Sequence, residues 1–200
     1  MAVDEAVAAI RSCKTVVLPT DTVYGLCASA YRDTAALRLY RLKGRPASQP
    51  TALLASSLDE IIDSVQEMRG RAAVAARALL PGPFTLVVPN PGRRFPWLTG
   101  DDGDTIGVRV PDLPPPAAAV LRRVGVVAAT SANLPGGKDP RTVDEIPEEL
   151  RAGCAAVVDI GELPGVPSTI VDLTEREPRV LREGAVPAEE ALARAREALG

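Results

Sequence analysis

Short apolar runs alternate with helix-forming segments along almost the whole chain, and this alternation limits the possible folds more than any other feature. Strand-like runs lie at 14–19, 51–56, 81–89, 105–111, 125–130, 155–160, 168–173 and 179–184. Helical patterns lie at 3–12, from Asp33 to Gly44, from Ser57 to Leu80, after the prolines at 114–116, and at 187–199. Because interleaved strands and helices pack as helices on a largely buried sheet, the sequence predicts one α/β domain over residues 1–200 with a twisted mixed sheet.

Local residue patterns mark where several of these elements begin, end or turn. Asp33 is predicted to cap its helix and Gly44 to end it, and Ser57-Leu-Asp-Glu60 has the spacing of a capping box. The segment 20–30, TDTVYGLCASA, is predicted to be a loop. The runs at 168–173 and 179–182 are too close in sequence for a parallel crossover, so part of the sheet is predicted to be antiparallel.

The composition excludes several classes of chemistry. The chain has no histidine, which removes the commonest general base, the usual nitrogen ligand of transition metals, and both Ser-His-Asp and Cys-His catalysis. Cys13, Cys27 and Cys154 are widely spaced with no CxxC pattern, so they indicate neither a disulfide framework nor a zinc site. Charges, hydroxyls, backbone amides and a hard oxygen-bound ion such as Mg²⁺ remain, and phosphate-transfer enzymes work with these.

Charge and hydropathy restrict the surroundings of the protein. The net charge of −3 argues against a basic domain that grips nucleic acid through many phosphates. No apolar run approaches the roughly 18–20 residues of a membrane span, and the N-terminus carries acids where a signal peptide has basic residues. We therefore expect a cytoplasmic protein without membrane contact.

Lysine is rare in this chain, which draws attention to its positions. Of 23 basic residues only Lys14, Lys43 and Lys138 are lysine. Lys43 and Arg45 flank Gly44, where a helical pattern stops and a proline-broken loop begins, so both are expected to lie at an exposed helix end. A compact ammonium with three donors suits phosphate oxygens. The simpler alternative is a helix end at which the helix dipole favours cations.

Five short polar stretches stand at predicted strand ends or in loops: PTDTVYG (19–25), KGRP (43–46), GVRVP (107–111), TSANLPGG (130–137), and STIVDL (168–173) with its companion LREG (181–184). Binding sites in α/β folds gather where strands run into loops, so these stretches are expected to converge on one pocket. The expected pocket contains four cations and several small hydrogen-bonding groups: Lys43, Arg45, Arg109, Arg182, Thr20, Thr22, Thr130, Ser131, Asn133, Ser168 and Thr169. Four cations suit a polyanion, and hydroxyls with an amide suit phosphate oxygens, a ribose or an amino-acid head group.

Each stretch alone also has a purely structural explanation. Arg109 within IGVRV is able to pair with a core carboxylate, and Ser131-Ala-Asn133 is compatible with turn chemistry. Asp21 is expected to form a turn beside Pro19 rather than to bind Mg²⁺. No GxxxxGK[ST] loop is present, so a nucleotide would have to be held by side chains.

The order and spacing of LPTDTVYGLCASA, LKGRP, PGPFTLVV, IGVRVPD, TSANLPGG, STIVDLT and VLREGAV resemble the YrdC-like family, the threonylcarbamoyl-AMP synthases, over nearly the whole chain. The resemblance implies a twisted α/β fold with a large concave pocket. It implies formation of threonylcarbamoyl-AMP and pyrophosphate from L-threonine, bicarbonate and ATP with Mg²⁺. A downstream tRNA threonylcarbamoyl transferase would use the product to make N6-threonylcarbamoyladenosine beside the anticodon. A weak direct contact with tRNA is compatible with the resemblance.

By position, the resemblance implies an ATP-binding set drawn from two motifs and one late arginine: Lys43, Arg45, Ser131, Asn133 and Arg182. Within this set Lys43 and Arg45 would be catalytic, because they would neutralise the charge that grows on the phosphates as pyrophosphate leaves. The resemblance implies a second set around threonine: Thr22, Arg109 and Ser168. It implies no metal site of protein ligands, since the ATP phosphates would carry Mg²⁺.

Two features depart from the family pattern, and two other functions stay open. The chain ends at Gly200, as in the short form of the family that lacks a C-terminal domain. It has QPTALL where many members have Asn-Pro-Leu followed by a histidine, so a threonine contact made there is in question. One alternative is an RNA- or ribosome-binding module without catalysis. The other is a related enzyme that forms a different carbamoyl-adenylate.

Overall fold

Eight strands form one mixed sheet in a computed structural model that describes residues 1–66 and 68–200. The strands are β1 Val16–Pro19, β2 Tyr24–Ser29, β3 Ala52–Leu54, β4 Phe84–Pro89, β5 Thr105–Arg109, β6 Val127–Ser131, β7 Thr169–Asp172 and β8 Arg179–Arg182. Their order across the sheet is β1-β2-β6-β3-β5-β4-β7-β8. The pairs β3–β5 and β4–β7 are parallel and the other five pairs are antiparallel, which confirms the predicted mixed sheet.

Seven α-helices connect and cover these strands within the described residues. They are α1 Ala2–Arg11, α2 Asp33–Lys43, α3 Leu58–Ser64, α4 Gly70–Leu79, α5 Pro115–Val124, α6 Glu148–Ala152 and α7 Ala188–Leu199, with a short 3₁₀ helix at Val143–Glu145. Helix α2 ends at Gly44, which adopts the left-handed conformation (φ 66°) that glycine tolerates best. The chain therefore reverses between Lys43 and Arg45.

The two faces of the sheet are covered unequally. Alternate residues of the strands, such as Leu26, Leu86 and Val108, face a large apolar core that also includes buried residues of α2, α3, α4 and α7. The opposite face packs against α1 and α5 only near β1, β2, β3 and β6, where Cys27 and Leu54 are buried. The rest of this second face, which we call the open face, has side chains that are only half-buried on β4 and β5.

Two sequence-based element predictions are wrong, for reasons of pairing. Residues 24–29, predicted as loop, form β2, because this segment is hydrogen-bonded on both sides, to β1 and to β6. Residues 155–160, predicted as a strand, contribute only an isolated bridge between Val157 and Val17, on the edge strand β1. The segment YGLCAS contains glycine and several small residues, which gives it a weak strand propensity, whereas the apolar run at 155–160 resembles a strand in composition alone.

The local signals at helix starts are partly confirmed. The Ser57 hydroxyl accepts a hydrogen bond from the Glu60 amide at 3.3 Å, as the capping pattern predicts. Asp33 does not cap α2: it is the first helical residue, and its carboxylate accepts from the next amide, that of Thr34. The predicted antiparallel pairing of 168–173 with 179–182 is confirmed as β7–β8. In the part of the chain described, no helix is both long and apolar enough to cross a membrane.

Helix α2 offers a matched test of the larger core. Leu39 is fully buried whereas Leu37, on the same helix, is 37% exposed. Leu39→Ala is expected to lower the free energy of unfolding by about 2–5 kcal/mol, through lost burial and a cavity. Leu37→Ala is expected to change it by no more than about 0.5 kcal/mol. Denaturant unfolding of both variants measures the difference, and equal losses would contradict this packing of α2.

Candidate active site

A cavity of about 260 Å³ lies over the open face. Its floor is made by the middles of strands, with Gly107 on β5 and Ala129 on β6, and not by strand ends alone as the motif positions predicted. The floor residues have small side chains, which leaves the space above the strands free for a ligand. Gly107 and Ala52 are close neighbours there, since a Cβ added to Gly107 would lie 3.5 Å from the Cβ of Ala52. The lining residues with polar side chains are Thr20, Arg45, Thr51, Thr85, Thr105, Arg109, Thr130, Ser131, Asp139, Ser168 and Arg182.

Lys43 lies behind the cavity wall and is fully engaged by protein oxygens. Its ammonium donates to the Ser131 carbonyl at 2.5 Å, the Asn133 carbonyl at 2.8 Å and the Asn133 side-chain oxygen at 2.7 Å. These acceptors match the three donors that an ammonium has. The expectation of an exposed helix end is wrong for Lys43, which is 5% exposed, because the chain reversal at Gly44 turns it under the loop after β6.

Burial also changes the proton affinity of Lys43. Desolvation, with a smaller contribution from the nearby Arg45, lowers the pKa of Lys43 to about 8, and the negative charge of Asp139 opposes the shift. An amine with a pKa this low changes its charge within the pH range in which enzymes are usually assayed.

Arg45 follows two residues later and reaches the cavity itself. Its guanidinium donates to the Thr130 hydroxyl at 3.2 Å and to the Pro50 carbonyl. Its Nε is buried without a hydrogen-bond partner. Burial lowers the pKa of Arg45, but a guanidinium stays protonated at any physiological pH. Arg45 therefore brings a permanent positive charge to the cavity wall.

The loop after β6 is organised around Asn133. The Asn133 side-chain oxygen accepts from the Ser131 hydroxyl at 2.7 Å as well as from Lys43, and its amide nitrogen donates to the Gly137 carbonyl at 2.6 Å and to Asp139 at 3.3 Å. Asn133 is 9% exposed and supports the loop from below. Ser131 and Asp139 line the cavity, and Asp139 is the one carboxylate among the lining residues described.

Arg109, at the end of β5, is held by the loop between β1 and β2. Its Nη2 donates to Asp21 at 2.5 Å, to the Thr22 hydroxyl at 2.6 Å and to the Thr20 hydroxyl at 3.5 Å. Arg109 and Asp21 form an ion pair in which both side chains are 11% exposed. The structural alternative for Arg109, a carboxylate partner, is thus observed. Asp21 is that partner, while Thr22 is buried behind Thr20.

Ser168 and Arg182 meet on the opposite side of the cavity. The Arg182 guanidinium donates to the Ser168 carbonyl at 2.8 Å and to its hydroxyl at 3.3 Å. The Ser168 and Thr85 hydroxyls share a hydrogen bond of 2.8 Å. Gly184 packs so closely on this segment that an added Cβ would lie 2.2 Å from the Pro167 carbonyl oxygen. Close backbone packing therefore sets the position of Ser168.

The structure brings seven of the eleven expected residues to the cavity wall: Thr20, Arg45, Arg109, Thr130, Ser131, Ser168 and Arg182. The other four lie outside it. Lys43, Thr22 and Asn133 support the wall from behind, whereas Thr169 is buried and its hydroxyl bonds the backbone of Gly184 and Val186. The roles assigned to these residues toward ATP and threonine stay predictions.

Sequence reasoning missed several lining residues on the sheet floor, among them Thr85, Val87 and Thr105. Their signal was available in principle. FTLVVP and TIGVR alternate between fully buried and half-buried positions, and every half-buried residue of β5 lines the cavity. Polar or small residues at alternate positions of apolar strands indicate a face without helical cover.

The charges around the cavity favour an anion. Three guanidiniums and one carboxylate line it, and the buried ammonium of Lys43 lies behind. Of the three guanidiniums, only that of Arg109 has a carboxylate partner among the ion pairs of the described residues. Guanidiniums and clustered hydroxyls are groups that bind phosphate or carboxylate oxygens.

Comparison with known proteins agrees with this geometry. The family model Sua5/YciO/YrdC, described as "Telomere recombination", matches residues 8–184. The chain belongs to the Sua5/YciO/YrdC family. Its family membership and its α/β fold, both expected from the sequence motifs, are confirmed.

Three curated relatives share the name threonylcarbamoyl-AMP synthase. The Pyrococcus abyssi protein is 35% identical over 182 residues, which cover 90% of this chain and 53% of the relative. The Bacillus subtilis protein is 32% identical over 93% of this chain and 54% of the relative. The Xanthomonas campestris protein is 30% identical over 90% of this chain and 96% of the relative. The chain thus spans about half the length of the first two relatives and nearly all of the third.

Solved structures give the same picture of the fold. The crystal structure of P. abyssi Sua5 complexed with L-threonine superposes with a TM-score of 0.87 at 34% identity, over 96% of this chain and 56% of that one. The crystal structure of Escherichia coli YciO has a TM-score of 0.82 at 26% identity, over 95% of this chain and 92% of that one. The Sua5/YciO/YrdC fold therefore covers nearly all of this chain.

The lowered pKa of Lys43 predicts how anion binding depends on pH. A bound anion favours the charged ammonium, so affinity for inorganic sulfate, whose own charge does not change in this range, is expected to be level below the pKa of about 8 and to fall as pH rises through it. In Lys43→Arg the cation does not titrate, so the fall is expected to disappear. Calorimetric titrations across this pH range measure both. A wild-type affinity that does not change with pH, or an equal fall in Lys43→Arg, would show that titration of Lys43 does not control anion binding.

Proposed function

We propose that this chain is a threonylcarbamoyl-AMP synthase, which forms threonylcarbamoyl-AMP and pyrophosphate from L-threonine, bicarbonate and ATP. The observation that carries the proposal is a single cavity in which three guanidiniums lie among small hydroxyls, one of them paired with a carboxylate and two without a carboxylate partner among the described ion pairs. The names of the relatives and the L-threonine complex of P. abyssi Sua5 support it.

The ATP half of the site would lie between Arg45, the Ser131–Asn133 loop and Arg182. Arg45 and Arg182 have no carboxylate partner among the described ion pairs, so their charge is available to phosphate oxygens. Ser131 offers a hydroxyl at the wall. Lys43 would act through the loop that it holds and through its charge, because its three donors already have protein acceptors.

Mg²⁺ would enter with the ATP phosphates. No cluster of three or more acidic or cysteine side chains suited to a metal ion occurs among residues 1–66 and 68–200. A magnesium ion carried by phosphates needs at most one or two carboxylates and keeps several waters. Asp139 is the carboxylate at the wall that such an ion would find.

The threonine half would lie at Arg109 and Ser168. Arg109 suits the carboxylate of the amino acid. Ser168 is 3% exposed, and its hydroxyl already shares hydrogen bonds with Thr85 and Arg182, which fixes its orientation at the wall. Thr22 would contribute through Arg109 rather than directly, because its hydroxyl is an acceptor for that guanidinium.

Catalysis would consist of positioning and charge neutralisation. The threonine amine and bicarbonate form a carbamate with loss of water. A carbamate oxygen then attacks the α-phosphorus of ATP, and the bond to the β-phosphate oxygen breaks to release pyrophosphate. Arg45, Arg182 and Lys43 would stabilise the charge that develops on the departing phosphates. The cavity would hold the three reactants together, which accounts for chemistry without histidine.

The wider role rests on the same proposal. Threonylcarbamoyl-AMP would pass to a tRNA threonylcarbamoyl transferase for N6-threonylcarbamoyladenosine synthesis. Weak tRNA contact and a cytoplasmic location stay predictions. Parts of the longer relatives that this chain does not cover have no counterpart in the proposal.

The amino-acid preference tests the proposed reaction. A site that hydrogen-bonds a hydroxyl rejects an analogue without it strongly, whereas a missing methyl costs only about 1–3 kcal/mol. We expect threonine to be used best, serine weakly and valine almost not at all. Release of pyrophosphate from ATP is measured with each amino acid, with and without bicarbonate, and the adenylate is identified by mass.

Other outcomes of this assay point to the alternatives. Valine used as well as threonine, or release that does not need bicarbonate, would contradict threonylcarbamoyl-AMP synthesis. Another amino acid used in preference would indicate a related carbamoyl-adenylate enzyme. Tight double-stranded RNA binding at physiological salt without ATP binding would indicate an RNA- or ribosome-binding module.

Arg45 provides a test of the ATP half with a control from the same helix end. Arg45→Ala is expected to raise KM for ATP about tenfold or more, because hydrogen bonds to charged groups contribute about 1.5–3 kcal/mol. Arg41→Ala removes the same charge from an exposed position in the last turn of α2 and is expected to leave KM unchanged. Steady-state kinetics and melting curves are measured for both. Equal increases in KM for ATP in the two variants would show that ATP binding depends on net charge and not on a specific contact with Arg45.

A further inference from the structure

The hydrogen bonds of Arg109 are concentrated on one of its three nitrogens. All the contacts described for this side chain, to Thr20, Asp21 and Thr22, are made by Nη2. Its Nε is buried without any partner, and Nη1 donates to no atom of the described residues. A guanidinium has five N–H donors, so most of its donor capacity is unused although the side chain is only 11% exposed. Arg109 lines the cavity, where Nη1 is able to meet a ligand.

Asp21 holds this arrangement from behind the cavity wall. One carboxylate oxygen accepts from Arg109 Nη2 at 2.5 Å, and the other accepts from the backbone amide of Asp112 at 3.2 Å. Asp21 itself does not line the cavity. It therefore ties the loop after β1 to the chain just beyond β5 and fixes the guanidinium between them.

The ion pair also divides the cavity by charge. Arg109 with Asp21 is neutral as a pair, whereas Arg45 and Arg182 have no carboxylate partner among the described ion pairs. A neutral pair with free donors suits a ligand that has a carboxylate but no net charge. The unpaired guanidiniums suit phosphates, which carry several negative charges.

We propose that Asp21 is a positioning and specificity-determining residue: it orients Arg109 for the carboxylate of a zwitterionic amino acid and, by cancelling the charge of Arg109, directs phosphates to the other end of the cavity. This inference rests on the proposed function. Asp21 touches no substrate and acts through Arg109.

The test compares Asp21→Asn with Asp112→Asn, which removes an exposed carboxylate nearby without touching the ion pair. Asp21→Asn is expected to raise KM for threonine about tenfold, the loss expected for one charge-assisted contact, with KM for ATP within about twofold of wild type. Inorganic sulfate is the second probe. It is expected to compete with ATP in every variant, and to compete with threonine only in Asp21→Asn, where the charge of Arg109 is no longer cancelled. Asp112→Asn is expected to match wild type in all three measurements.

The outcomes are distinguishable from one another. If Asp21→Asn leaves both KM for threonine and sulfate competition unchanged, or raises both KM values equally, the inference is overturned. If wild type makes no adenylate from threonine, the proposed function itself fails. Should Asp21→Asn not fold, Asp21→Glu replaces it. The longer carboxylate displaces the guanidinium, so KM for threonine is expected to rise with KM for ATP unchanged, and a wild-type KM for threonine in this variant overturns the inference.

Discussion

The triple hydrogen bond of the Lys43 ammonium is the interaction on which the site depends. It joins the end of α2 to the loop after β6, two segments about ninety positions apart in sequence. All its acceptors belong to Ser131 and Asn133, so a single buried cation fixes the loop whose other side forms the cavity wall. Because burying an ammonium is costly unless its donors are satisfied, the same contacts that build the site also permit the burial. The lowered pKa of Lys43 shows that burial still disfavours the charged form of the amine despite these contacts.

The cavity exists because one face of the sheet lacks helical cover over part of its area. Helices α1 and α5 pack at the β1 end of this face, and the large core lies on the other face. Small residues such as Ala52, Gly107 and Ala129 keep the exposed floor free of bulky side chains. Polar groups then approach from the surrounding loops and from strand ends. The rigid floor and the loop-borne charges together provide the preorganisation that a site without histidine requires.

Charge pairing distinguishes guanidiniums that are otherwise alike. Arg109 is paired with Asp21, whereas the hydrogen bonds of Arg182 within the described residues go to oxygens of Ser168. The first presents donors without net charge and the second presents a full positive charge. One cavity is thus able to receive a neutral zwitterion and a polyanion side by side, as the proposed reaction requires.

The sequence by itself determined the α/β class, the mixed sheet, the helix end at Gly44 and most of the polar residues that line the cavity, because these follow from periodicity, from local backbone preference and from motifs of fixed spacing. It did not reveal β2, since pairing on both sides outweighs the weak strand propensity of YGLCAS. It also did not show which motif residues reach the cavity. Lys43, Thr22 and Asn133 lie behind the wall while Thr85 and Thr105 lie on it. Only the tertiary structure decided this, because whether a polar side chain faces a ligand or another residue depends on strand register and on partners distant in sequence, which no local pattern encodes.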